Sequence, residues 1–392
     1  MEKRSKTIRG AVIIEGHVQG LSNARSLGEA GIPVIVVDRN NCIARYSRYC
    51  KRFFRSPDFD TDDFALFLAD LGLREGLQGW LLLPSNDHAV HTLSRNRERL
   101  ESIYKLLTPG PEIINRIYDK KNLLNLATEL DIKIPPTRYF KNPGEAASSE
   151  LRYPVITRGR FGLSFYKSMK AKALLANNAE ELSAQLTLIE EMHDTESSLT
   201  QSVIPFTGSN RTVSFTAFCV DGEVRCHWTG QKLREHPWTF GTATLAESIE
   251  SDECRDISAR LLKGLNYTGV CEIEFLRDPE DGCYKLIEMN ARTWLWVGLA
   301  KACGVNYALI TYRFVNGLDI TFPDSYIAGV KWINWLTDSW FSLKALFAGK
   351  LSVREYLRSV RGKRVRAVFS AGDPVPSAAL IFMSFYIARK RG

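Results

Sequence analysis

Residues 270–292 read VCEIEFLRDPEDGCYKLIEMNAR. Two apolar-rich runs flank the turn sequence DPEDG, the pattern of a β-hairpin. Successive strand residues face opposite ways, so Glu272 and Glu274 share one face, and Glu288 and Asn290 share the matching face of the partner strand. Arg292 continues that face. The residues between them, Ile273, Phe275, Leu286, Ile287 and Met289, are strongly apolar. Carboxylates set among them lie at the edge of a core and need a partner. Oxygen ligands two residues apart, opposite another carboxylate, suit a hard cation such as Mg²⁺ that completes its shell from phosphate oxygens.

Upstream, LTQSVIP (199–205), RTVSFTAFCV (211–220) and EVRCHWTG (223–230) read as an antiparallel meander, with Asp221-Gly222 turning its middle hairpin and a helix from Ser251 to Gly264 following. Earlier still, the strand YPVIT (153–157) opens a basic, glycine-containing loop over 158–174, and a helix spans Ala179 to Glu191. A helix from about Ile117 to Leu130 ends before Pro135-Pro136.

The first hundred residues follow another rule. AVII (11–14), a turn bracketed by Gly16 and Gly20, a helix from Leu21 to Ala30, and PVIVV ending at Asp38 form a βαβ unit with a parallel sheet. The turn is G-x-x-x-G, short of the G-x-G-x-x-G dinucleotide fingerprint. A helix from Thr61 to Leu71 precedes a buried strand that ends at Pro84 and leaves Ser85, Asn86 and Asp87 at its carboxyl end, where open parallel sheets bind ligands. Ser85 and Asp87 are therefore candidate substrate contacts, with capping of the next helix as the competing role of Asp87. His88 and His91 lie three apart with no third metal ligand in sight.

The chain of 392 residues carries 52 Lys and Arg against 44 Asp and Glu, a net charge of +8, with 45% hydrophobic residues, which excludes collagen-like, low-complexity and disordered classes. The positive surplus favours an anionic ligand: a nucleotide, a nucleic acid or an acidic lipid. Eight cysteines without a C-x-x-C pair read as buried hydrophobes of a reducing compartment. The run AVII is too short for a signal-peptide core, so a cytoplasmic protein is expected. The carboxyl-terminal PVPSAALIFMSFYIARKRG has roughly 14 membrane-like residues against the ~20 of a spanning helix. Its basic flanks, with Arg358, Arg361, Lys363, Arg364 and Arg366 upstream, suit peripheral contact with anionic lipid at the inner face of a membrane. A helix docked on the protein body is the competing reading.

The order of these parts, across roughly residues 10–320, resembles the ATP-grasp superfamily. DKKNLLNLATELDIKIPPT (119–137) is similar to its Asp-Lys start of the nucleotide domain, YPVIT with Arg158 to its first phosphate-contacting strand, LTQSVIP to its adenine hinge, and CEIEF with IEMNAR to its metal-binding pair. QKLREHPWTFGTATLAESI (231–249) looks like a segment of the carboxylate-amine ligase branch. The resemblance implies a parallel α/β domain over 1–115, a small α+β lobe over 116–200, a larger α+β lobe over 201–320 and a helical extension over 321–392. It implies that Lys120, Arg158 and Lys172 contact ATP phosphates, although Lys170 competes with Lys172. Gln201, Ser202, Val203 and Ile204 would supply backbone donors and acceptors to adenine; Glu274, Glu288 and Asn290 would hold Mg²⁺, or Mn²⁺ in its place; and Arg292, assisted by Arg234, would stabilise the transferred phosphoryl group.

The implied reaction is ADP-forming ligation of a small carboxylate to an amine through an acyl phosphate, with no nucleic acid partner and no nucleophilic Ser, Cys or His. Phosphoryl transfer asks the protein mainly for positioning, metal and cationic clamps. Arg158 stands where lysine is usual and Ser202 where Glu is frequent, which keeps open a nucleotide-binding regulatory protein with little turnover. A bicarbonate-activating, carboxylase-like member is the same-class alternative.

Overall fold

The computed structural model describes residues 9–148, 150–208, 210–236 and 241–391. The basic start of the chain (1–8), residues 237–240 of the ligase-like stretch, and the side chains of Arg389, Lys390 and Arg391 lie outside the described residues.

Five short strands, β1 (Ala11–Ile14), β2 (Val34–Asp38), β3 (Cys50–Arg55), β4 (Leu81–Pro84) and β5 (Lys105–Leu106), pair in parallel in the order β3-β2-β1-β4-β5. β1, β2 and β4 are buried along their whole length, as parallel strands covered on both faces must be. The two turn glycines after β1 serve packing. A Cβ on Gly20 would sit 2.0 Å from the Glu15 carbonyl oxygen, and one on Gly16 would sit 2.3 Å from Cys42 Sγ. Asp38 is used there too, since its carboxylate accepts from the Gly16 and Asn40 N–H groups at 2.8 and 2.9 Å.

The second sheet holds β6 (Thr137–Arg138), β7 (Val155–Gly159), β8 (Leu174–Ala176) and β9 (Ser198–Ser202), all antiparallel, in the order β6-β9-β7-β8. The third holds β10 (Val213–Val220), β11 (Glu223–His236), β12 (Thr242–Ile249), β13 (Gly269–Arg277), β14 (Tyr284–Asn290), β15 (Lys331–Ile333) and β16 (Arg364–Arg366), in the order β14-β13-β10-β11-β12-β15-β16. Asp221 and Gly222 both adopt positive φ, 51° and 79°, as the two-residue turn of the β10–β11 hairpin requires. One core cluster joins the first sheet to the third through Trp228, Trp294, Trp296 and Trp332.

The chain departs from its sequence reading in four places. LTQSVIP, expected as the first strand of the meander, is β9 and pairs with β6 and β7 in the second sheet, not with β10. The helix expected over 117–130 is two helices, Pro111–Tyr118 and Lys120–Glu129, broken at Asp119, whose extended backbone lets its side chain cap the second helix by accepting from Lys121 N–H at 2.9 Å. The expected loop over 158–174 contains a helix, Gly162–Met169, whose signal was the apolar i, i+4 spacing of Phe161, Phe165 and Met169, with Phe165 fully buried. The stretch 321–392 contributes β15 and β16 besides helices, and then returns to the first sheet. There Asp373, 2% exposed, accepts from Arg25 Nε at 2.9 Å and from Ser47 Oγ at 2.7 Å. The Val375–Arg391 helix thus begins docked on the body, and among the described residues no helix is long and apolar enough to cross a membrane.

Candidate active site

The three sheets meet at a cleft of about 920 Å³. Its floor is the β13–β14 hairpin, whose register sets Glu274 opposite Glu288 and Glu272 opposite Asn290, so the four side chains share one face as the alternation requires. Asn290 Nδ2 donates to Glu272 at 3.1 Å and, more loosely, to Glu288 at 3.5 Å.

From the small lobe come two cations. Arg158, on β7, donates to Gln201 Oε1 at 2.7 Å and to the Ile287 carbonyl at 3.2 Å, beside Glu288, and its buried Nε has no partner among the described residues. Lys120 opens the helix that Asp119 caps, and its Nζ lies 4.0 Å from the point where a Cβ on Gly162 would stand, at the N-terminus of the Gly162–Met169 helix. A helix N-terminus beside a lysine is a ready phosphate cradle. Burial would raise the Glu288 carboxyl, but Lys120, Arg158, Lys232 and Arg292 outweigh it and hold the group ionised below the ordinary range.

The other carboxylates are differently placed. Glu274 is engaged by Lys232 Nζ, 3.1 Å from each carboxylate oxygen. Glu272 is pushed up to about 8 by burial and by the Glu274 charge, although Ser214 Oγ donates to it at 2.9 Å. Arg292 forms a two-pronged ion pair with Asp87, at 2.9 and 2.7 Å, and also donates to Asn290 Oδ1 at 3.3 Å. It therefore ties the end of β4 to the hairpin.

Other expected site residues fall less centrally. Lys172 lies in a bend before β8 and lines the cleft, while Lys170 caps the Gly162–Met169 helix in the left-handed conformation and donates back to the Lys167 carbonyl. Of the hinge, Val203 and Ile204 line the cleft. Gln201 spends its side chain on Arg158 and Thr137, and the Ser202 hydroxyl accepts from Arg152 N–H at 3.1 Å, because both belong to a buried strand. The Val203 N–H is bonded to the Pro154 carbonyl at 2.9 Å. Arg234 reaches the rim, but its guanidinium is bound two-pronged to the fully buried Asp338, at 2.9 and 2.7 Å, which makes it a strut between β11 and the Trp335–Phe347 helix. Ser85 is buried with its carbonyl accepting from Gln19 Nε2 at 3.0 Å; Asn86, not Asp87, caps the next helix.

Two cleft residues escaped the sequence reading. Lys232 lies just past Gly230, where the sequence reading ended the strand, whereas β11 runs on to His236. Glu15 follows β1 directly, at the carboxyl end of a parallel strand, so the rule that singled out Asp87 applies to it as well. Glu15 has φ 68°, and its carboxyl is raised to about 7 by burial and by Asp38. The proton is held more tightly in the folded state, so this group's contribution to stability is full below its unfolded value near 4.5 and is lost as pH rises through about 7. Glu15→Gln is expected to stabilise the protein at pH 8 by on the order of 1–3 kcal/mol, a gain that vanishes toward pH ~4. Melting curves of both proteins across that range check it, and an unchanged difference at every pH would refute it.

Among the described residues no three His, Cys, Asp or Glu side chains converge as a ready-made metal cage. The oxygen set of Glu288, Glu274 and Asn290 fits a hard cation that takes one or two protein carboxylates and otherwise phosphate and water oxygens, the habit of Mg²⁺.

A cleft of this kind, with cations on a small antiparallel lobe facing carboxylates on a larger one and a parallel α/β unit in front, defines the ATP-grasp fold. Comparisons with known proteins agree. The family model "Carbamoyl-phosphate synthase L chain, ATP binding domain" matches residues 240–321. N5-carboxyaminoimidazole synthetase from Staphylococcus aureus, solved also in complex with ADP, superposes with a TM-score of 0.62 at 18% identity, covering 82% of this chain and 80% of that one. L-amino acid ligase from Bacillus licheniformis gives 0.57 at 14%, covering 78% and 74%. D-aspartate ligase from Enterococcus faecium is 23% identical over 274 residues, taking in 66% of this chain, and the chain spans 64% of that relative's length.

Proposed function

We propose that the chain is an ATP- and Mg²⁺-dependent carboxylate-amine ligase, which forms an amide or peptide-like bond through an acyl phosphate and releases ADP and phosphate. The observation that carries this reading is the convergence of Lys120 and Arg158 from the small lobe on the ionised Glu288 of the hairpin. A carboxylate is a poor electrophile. Transfer of the γ-phosphoryl group to one of its oxygens makes an acyl phosphate, whose carbonyl carbon an amine attacks as phosphate leaves. Arg158, Lys120 and the N-terminus of the Gly162–Met169 helix hold the phosphates, and Lys172 closes over them. Val203 and Ile204 flank the base. Mg²⁺, or Mn²⁺ with the same taste for oxygen, would be held by Glu288 with Glu274 and Asn290 and would neutralise charge on the transferred phosphoryl. Arg292, fixed by Asp87, faces the acyl phosphate.

The names of the relatives favour amino acids as acid, amine or both. At the far end of the cleft Glu15, with a carboxyl near 7, is suited to take the proton of an incoming ammonium. Use of ATP implies a cytoplasmic site of action. ADP formation is expected to need both Mg²⁺ and a substrate from an amino acid panel, and hydroxylamine should trap the acyl phosphate as a hydroxamate. ATP binding without ADP release under any acid would favour a regulatory nucleotide binder instead. Lys120→Ala should weaken ATP binding ~10–100-fold, the loss of one charge-assisted phosphate contact. Titration with ATP in the absence of acid measures it, and an unchanged Kd would remove Lys120 from the phosphate site.

A further inference from the structure

The Trp335–Phe347 helix is inside out. Its buried residues are Asp338, Ser342 and Ala345. Asp338 is held by Arg234 and by Thr244 Oγ1 at 2.9 Å, and the buried Ser342 Oγ has no partner among the described residues. Leu336, Trp340, Leu343 and Phe347 point outward, with exposures of 40, 57, 47 and 85%. At 3.6 residues per turn these four fall within an arc of roughly 60°, opposite the buried face. The inner side carries Asp338, Ser342 and Ala345 with the half-buried Trp335 and Phe341 at its edges, so a solvent side lined by four further large apolar residues is turned toward an apolar environment outside the protein.

The charge around this stripe selects the occupant. From Trp335 to Arg366 the sequence has eight Lys and Arg against two Asp and Glu. Both acids are engaged within the chain, Asp338 by Arg234 and Glu355 by the Ser352 N–H and hydroxyl of its own helix cap. The bases Lys344, Lys350, Arg354, Arg358 and Arg361 are all exposed. Lys344 Nζ lies 5.0 Å from the centre of the Trp340 ring, at the border of the stripe. The following helix, Val353–Ser359, adds exposed Val353 and Leu357 and packs on the same small cluster, with Tyr356 beside Trp335. A second copy of this face would set cation against cation. We propose that it docks on the surface of an anionic lipid bilayer, with Leu336, Trp340, Leu343 and Phe347 entering the headgroup boundary and the lysines and arginines on lipid phosphates.

The full chain should sediment with vesicles of phosphatidylcholine and phosphatidylglycerol but not with phosphatidylcholine alone, and about tenfold less at 1 M salt than at 0.1 M, where screening shortens from ~10 to ~3 Å. The double variant Trp340→Ala/Phe347→Ala should lose about tenfold or more of that binding with its melting temperature unchanged. Lys350→Gln/Arg354→Gln, which leaves the apolar stripe intact, should also weaken it. Absence of sedimentation with the anionic vesicles overturns the proposal. So does equal binding by the apolar double variant, or a dimer in solution that this variant converts to monomer while vesicle binding is unaffected.

Discussion

Glu288→Gln is expected to lower Mg²⁺-dependent ADP formation by roughly 10²–10³-fold, since a cation held there supplies several kcal/mol of charge stabilisation in phosphoryl transfer. The replacement keeps the shape of the side chain and removes its charge. Its effect on folding is not neutral. Glu288 is the shared counter-charge of Lys120, Arg158, Lys232 and Arg292, so a neutral amide leaves four partly buried cations less compensated and the melting temperature should fall as well. The wild-type carboxyl has a depressed folded-state value, so its stabilisation is present above the ordinary carboxylate range and is lost as pH falls through the folded value; the Gln variant should lack that acid-side loss. Measuring ADP formation at saturating Mg²⁺ and melting on one preparation separates the two effects. Turnover within a few-fold of wild type would end the assignment of Glu288 to the metal, however the melting curve moved.

The second large effect is on stability alone. Asp338 is fully buried and Arg234 is 9% exposed, and Asp338→Ala strands the guanidinium without its partner. Breaking such a pair costs ~3–5 kcal/mol, so melting should drop steeply. ADP formation per folded molecule should hold near wild type at a temperature where both proteins are folded. The opposite pattern, near-normal melting with turnover abolished, would return Arg234 to the chemistry and refute its reading as a strut. Arg234→Met with Asp338→Leu should recover much of the loss, because apolar replacement of both partners leaves no unpaired charge.

The hairpin was legible because one physical rule sufficed. Alternation with period two fixes which side chains share a face, and a carboxylate pattern among apolar neighbours has few uses at the edge of a core. The βαβ start and the β10–β11 hairpin with its Asp221-Gly222 turn were equally local readings, and both are observed, whereas LTQSVIP, read as the first strand of the same meander, pairs with β6 and β7 in the second sheet. The two-lobed fold was implied by the resemblance of the order of such parts to the ATP-grasp superfamily, not by periodicity.

What the sequence could not supply was partnership between distant residues. Arg234 and Lys232 sit two residues apart on β11 and look alike as letters. One turns to Asp338, 104 residues on, and becomes a strut, while the other turns to Glu274 and joins the cleft. The side chains of Gln201 and Ser202, on a strand expected to offer its backbone to adenine, are committed by burial to Arg158 and to the Arg152 N–H. Asp119, at the break just before Lys120, also accepts from Arg160 Nε at 3.1 Å, a partner 41 residues on. The inside-out face of the Trp335–Phe347 helix is invisible to periodicity, because a stripe of Leu, Trp, Leu and Phe reads as core until the tertiary structure puts Asp338 on the inner side. Strand and helix periods are set by backbone geometry and travel with the sequence. Which charged group meets which, and which apolar stripe is left facing outward, is settled only when the packed chain decides what water can reach.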